Sequence, residues 1–216
     1  MKQAKAPFQF ITASYLICIG HDRPTTLRGL SRSIAEVSEA SIFCHTFHSL
    51  SMHHYTSYSS DFAQWAMAAC NEQELAERLG GIDVRQFVSI EDLRSALVHT
   101  IESYLRSQPR SSDRPAFEPF FFSETREIAL PLDLRASNLA ELAEGIRRLS
   151  LHSLHFHFVN SRLRLHLRTN DFSHWIEQEL GFPDLAARID RVDFYTNTLQ
   201  GVREGILECI QPWIGR

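Results

Sequence analysis

The sequence has no C-x-x-C pair. Cys18, Cys44, Cys70 and Cys209 lie far apart, which excludes a zinc ribbon and a dithiol redox motif. Reduced thiols in a cytoplasm are the simplest reading. There is no stretch of about 18 to 20 apolar residues to cross a bilayer. No glycine-rich loop offers a phosphate cradle, because Gly80 and Gly81 fit a helix end. The HExxH pattern is missing, and no carboxylate occurs between Ile42 and Asp61. Basic charge is not in excess either: 22 Lys and Arg face 26 Asp and Glu, a formal net charge of −4. That balance argues against general nucleic-acid binding.

What is present is a core and a repeat. With 216 residues, 44% of them hydrophobic, the chain can bury one large core or two small ones. Residues 41–65 and 153–175 each read as a serine-led apolar run with a central histidine, a polar gap, and an Asp-Phe-x-x-Trp box. At constant offset, Pro7, Phe8, Phe10, Leu27, Leu30, Ile34, Ser38, Ser41 and His45 meet Pro119, Phe120, Phe122, Leu139, Leu142, Ile146, Ser150, Ser153 and His157. A short deletion later, Asp61, Phe62 and Trp65 meet Asp171, Phe172 and Trp175. A period near a hundred residues exceeds the solenoid repeats and predicts a duplicated domain. The parsing is a first copy over 1–106, a linker over 107–116 with an exposed composition, and a second copy over 117–216. The Pro-Phe-x-Phe opening recurs at Pro119, so the N-terminal apolar run is read as part of the fold and not as a secretion signal.

The expected fold is α+β and predominantly helical, an internal duplication of a strand-plus-helices unit related by pseudo-twofold symmetry. Residues 8–19 and 120–130 are rich in aromatic and β-branched residues and predict strands. Thr25 or Thr26, and Ser137 or Asn138, are placed to cap amphipathic helices. Asp61 and Asp171 are read as N-caps of the box helices, with Gln64 completing a capping box after Asp61. Asn71 with Glu74, Pro183, Ser89 and Thr198 open the later helices. The central segments, 42–58 and 154–168, are ambiguous. Phe43, Phe47, Leu50 and His54 follow helical spacing, while HFHFV and RLRLHLR alternate as a strand would. A largely buried helix is the reading, a hairpin the alternative.

Ser41-x-x-x-His45 and Ser153-x-x-x-His157, the boxes at Asp61 and Asp171, the runs LAERL and LAARI, and the following Asp83 and Asp193 together resemble the prokaryotic family known as domain of unknown function 5752. The resemblance covers most of both halves and implies the duplicated layout. Some members of that family are associated with glycosyltransferase or sugar-metabolism proteins. It carries no activity, cofactor or site residue over to this chain.

Chemistry must be sought among the residue types themselves. His45, Asp61, His157 and Asp171 recur in both halves and, brought together, would supply two histidines and two carboxylates for a divalent metal. The simpler reading makes each aspartate a cap and each histidine a core hydrogen-bonder. His45 and His48 could share a helical face as metal ligands, but no HExxH arrangement accompanies them, and His53, His54, His152 and His155 read as histidines bonded to backbone or exposed at the surface. Cys44 beside His45 points about 100° away on a helix, which disfavours a Cys–His nucleophile. Arg162, Arg164 and Arg168, with His166, form the basic cluster peculiar to the second copy and suit an anion. The functional expectation is a soluble cytoplasmic binding or regulatory module, non-enzymatic and needing no cofactor. It would recognise a protein partner or an anionic small molecule. A metal-dependent hydrolase or transferase using the duplicated His and Asp residues is the alternative.

Overall fold

The computed structural model describes residues 2–48, 58, 60–165, 167–194 and 196–215. Its elements confirm an α+β chain dominated by helices. Strand β1 is Phe8–Ile19, followed by α1 (Leu27–Glu36), α2 (Glu39–Phe43), a π-helical turn (Cys44–His48), α3 (Asp61–Ala68), α4 (Gln73–Gly80) and α5 (Ile90–Ser107). Strand β2 is Ser123–Ala136. After it come α6 (Leu139–Arg148), α7 (Leu151–His155), a second π-helical turn (Phe156–Asn160), α8 (Ser161–Arg164), α9 (Asp171–Leu180), α10 (Pro183–Asp190) and α11 (Leu199–Ile210). β1 and β2 pair antiparallel as a two-stranded sheet, with Ala4 N–H donating to Ser137 O and Gly20 N–H to Phe122 O. No described helix is long and apolar enough to cross a membrane.

The chain divides into two compact units, and the division does not follow the order of the sequence. Leu16–Arg126 form one; Met1–Tyr15 and Glu127–Arg216 form the other. The boundary cuts both strands. The helices that follow β1 therefore share a unit with the start of β2, and the helices that follow β2 share one with the start of β1.

In the unit 16–126, Leu27, Leu30 and Ile34 of α1 and Leu93, Leu97 and Ile101 of α5 are buried on facing helices. Phe62 stacks on Phe120 at 5.2 Å between ring centroids, and Trp65 meets Phe120 edge-on at 5.9 Å. The Trp65 indole N–H donates to Glu118 O at 2.9 Å. Thr26, Ser38, Ser60 and Ser89 each accept a backbone N–H from three residues on, satisfying donors that a helix start leaves open. Buried Arg94 donates to Ile34 O at the end of α1. Behind α4, Glu72 accepts from the Tyr104 hydroxyl and from Arg114. Burial and that carboxylate push the phenol up to about 12.

The other unit repeats much of this chemistry. Leu139, Leu142, Ile146, Val202, Ile206 and Ile210 form its core with Phe8 and Phe10. The Trp175 indole donates to Ala6 O at 2.8 Å, and Arg203 donates to Leu149 O just past α6. Phe10 lies so close to α6 that a Cβ on Gly145 would stand 2.1 Å from its Cζ, so any side chain here forces Phe10 to shift. Gly181 closes α9 in the left-handed conformation at φ 60°, a conformation glycine adopts without a Cβ clash.

Two sequence expectations change. Asp61 and Asp171 are not N-caps; Ser60 and Asn170, one residue earlier, hold that position, and the aspartates are first helical residues. Asn71 does not cap α4 but takes φ 55°, and Glu72 precedes the helix with its carboxylate drawn to Tyr104 and Arg114 instead. The connection 107–116 is exposed over most of its length while its backbone is held: Arg28 N–H donates to Ser112 O, Ala116 N–H to Thr25 O, and Ser112 is buried. Its polar side chains mark a turn whose backbone is hydrogen-bonded, which composition does not distinguish from a free linker. The central segments follow the helical reading over 39–48 and 151–164, and not the hairpin alternative. Residues 49–57 lie outside the described residues, and with them Leu50, His53 and His54.

Candidate functional site

The two recurring histidines occupy the same chemical setting in their separate units. Each sits in a π-helical turn, where one extra residue per turn rotates the side chain away from the regular helical face. His45 is packed among Phe62, Phe120 and Phe122, with ring centroids 4.9 to 5.7 Å away. His157 is packed among Phe8, Phe156 and Phe172 at 5.0 to 5.4 Å. Their side chains are 5% and 1% exposed, so each ring is almost wholly withdrawn from solvent.

Both ring nitrogens of each histidine are engaged. His45 Nδ1 lies 2.8 Å from Asp61 Oδ2, and its Nε2 accepts the backbone N–H of Ser123 at 2.9 Å. His157 Nδ1 lies 2.8 Å from Asp171 Oδ2, and its Nε2 accepts the N–H of Ile11 at 2.8 Å. An amide N–H facing Nε2 requires a lone pair there, so the ring proton sits on Nδ1 and donates to the aspartate. In this tautomer neither nitrogen keeps a lone pair for a metal or for a substrate proton. Each imidazole instead ties a strand to the first turn of a helix, where a carboxylate also suits the positive end of the helix.

The arginines named from the sequence do not form one open cluster. Arg164 bridges Glu127 Oε2 at 2.9 Å and Asp171 Oδ2 at 3.0 Å, and its guanidinium lies 4.4 Å over the Phe156 ring. Arg162 lies over Phe158 and Phe194 and donates to Asp190 O at 3.2 Å. Arg168 is exposed, and His166 lies outside the described residues. Asp190 is held above the ordinary carboxylate range by burial, opposed by hydrogen bonds from Ser173 and Thr169 and by the charge of Arg162. Arg162 and Arg164 thus have packing and pairing roles that local spacing did not disclose.

A cleft of about 610 Å³ opens beside this assembly. His157, Asp171, Arg164, Glu127 and His174 line its polar side, and Phe8 and Trp175 its apolar side. Glu127 and His174 were not anticipated, and a pattern search confined to the repeated positions would pass over both. Cys44 sits near the Thr125 hydroxyl at 3.6 Å. Burial raises its thiol above the ordinary value, with Thr125 and Ser123 opposing, so it is not an activated nucleophile. Among the described residues no three His, Cys, Asp or Glu side chains are grouped to hold a metal ion.

Known proteins place the fold more firmly than the chemistry. A solved structure, that of OrfY from Thermoproteus tenax, is similar with a TM-score of 0.85 and 29% identity, covering 97% of this chain and 96% of that one. No curated protein matches the sequence. The model of a family of unknown function, DUF5752, matches residues 5–211, nearly the whole length, and the chain therefore belongs to that family.

Proposed function

We propose that this chain is a non-enzymatic recognition module made of two copies of one strand-plus-helices unit, each copy lending its strand to the helices of the other. It binds an anionic small molecule or an acidic protein partner. The observation that carries the reading is the saturation of His45 and His157. The residues best suited by type to catalysis spend both ring nitrogens on a carboxylate and a backbone amide. The duplication is supported by the matching partners of Trp65 and Trp175 and of the two histidines.

The metal-dependent alternative needs His Nε2 as a ligand, which requires breaking the bond to Ser123 or Ile11. Elemental analysis of the chain purified without added metal tests the choice. Zinc, manganese and iron should be far below stoichiometric, and added zinc should not raise the melting temperature. Stoichiometric metal that is lost in His157→Gln or His45→Gln would overturn the recognition reading.

A further inference from the structure

A second concavity, lined by neither histidine, lies between α1 and α5 within the unit 16–126. It is a groove of about 580 Å³, within the range of small-molecule sites. Arg28 and Arg32 stand one helical turn apart on α1, and Arg106 stands on α5. Residues four apart on a helix are neighbours on one face, with Cβ atoms about 6 Å apart. The wall between them is apolar, formed in part by Val98 and Leu105.

The charges here are open to a ligand, unlike those of Arg162 and Arg164. Neither Arg32 nor Arg106 makes an ion pair or side-chain hydrogen bond among the described residues, and both are exposed. Arg28 holds Asp113 through Nε at 2.8 Å, a fully solvated pair of the kind that contributes little and exchanges easily. One carboxylate, Glu102, also lines the groove. Three guanidinium groups against Glu102 and Asp113 leave a net positive site on a chain whose formal charge is −4. A monovalent anion would gain little over the resident carboxylates. A diphosphate brings more charge and more acceptor oxygens, matches the fork geometry of arginine, and can displace Asp113 from Arg28.

We infer that the α1–α5 groove is a binding site for a small organic diphosphate, with Arg28, Arg32 and Arg106 on the phosphates and the Val98 and Leu105 wall against the organic part. This assignment rests on the recognition reading above and names the ligand class of that function.

Calorimetric titration of the full chain with ADP, inorganic pyrophosphate and adenosine tests it. ADP binds saturably, pyrophosphate more weakly and adenosine not at all, and raising salt from about 50 to 200 mM weakens ADP binding several-fold. Replacing both Arg32 and Arg106 by Gln lowers ADP affinity at least about tenfold, the scale of losing hydrogen bonds to charged groups. Both side chains are exposed, so the melting temperature stays put and a folding defect is not the cause. Absence of saturable ADP and pyrophosphate binding overturns the site, as does unchanged affinity in the double variant. Loss of ADP binding in Arg168→Gln with R32Q/R106Q unaffected refutes this groove yet leaves the recognition reading standing. Turnover of ADP by the wild-type chain refutes the recognition reading itself.

Discussion

Replacing His157 dissects the tie between strand and helix one arm at a time. His157→Phe keeps the aromatic volume among Phe8, Phe156 and Phe172 but deletes both hydrogen bonds. The bond to the Asp171 carboxylate is of the charged class, about 1.5 to 3 kcal/mol. The Ile11 N–H is left without its acceptor at about 1 to 3 kcal/mol. Arg164 still neutralises Asp171, which trims the first figure, so a loss of about 3 to 5 kcal/mol is expected. His157→Gln can carry a carbonyl toward Ile11 and His157→Asn an amide toward Asp171, so each restores one arm and costs about half as much. Urea denaturation followed by tryptophan fluorescence gives the energies. Amide hydrogen exchange separates the arms: exchange at Ile11 accelerates in the Phe and Asn variants and stays slow in Gln. Equal stability of His157→Phe and wild type would refute the reasoning, as would an Ile11 amide protected in every variant.

Two further outcomes follow from the packing and from a buried phenol. Gly145→Ala drives a methyl group against Phe10 and should cost about 1 to 3 kcal/mol by overpacking; in a Phe10→Leu background the penalty should shrink, a non-additivity that a double-mutant cycle reads directly. Tyr104 has a folded-state pKa raised to about 12, so between about pH 10 and 12 the unfolded chain binds fewer protons than the folded one and stability falls as pH rises. Tyr104→Phe should flatten that alkaline slope in denaturation measured at several pH values, and an unchanged slope would show that the phenol is not its source.

Local signals in the sequence served well where local physics decides. Thr26, Asn138, Ser89 and Thr198 cap the helices they were read to cap, Pro183 opens α10, and β1 covers residues 8–19 as its composition predicts. The box aspartates were misread because Ser60 and Asn170, one place earlier, are as good at capping, and composition alone cannot rank adjacent candidates. The histidines were recognised as recurring core hydrogen-bonders, but not for what they bond. Ile11 and His157 are 146 residues apart, and Ser123 and His45 are 78 apart, and backbone amides leave no mark in a residue pattern. Arg164 illustrates the same limit. Glu127, its partner 37 residues away, is one of many carboxylates until the fold brings it near. The groove arginines drew no notice in the sequence, since Arg106 joins Arg28 and Arg32 only when α5 packs on α1.

The unequal division of the chain sets a timetable for its synthesis. Leu16–Arg126 can complete their unit once residue 126 has left the ribosome, with every strand and helix of that unit already made. The first fifteen residues must wait for Glu127–Arg216, roughly ninety further residues, before Phe8 and Phe10 find their core. At about 5 to 20 residues per second that interval lasts on the order of 5 to 20 s. Through it residues 7–11 carry two phenylalanines still without their core and a strand edge still without its partner, the kind of segment on which chains associate wrongly.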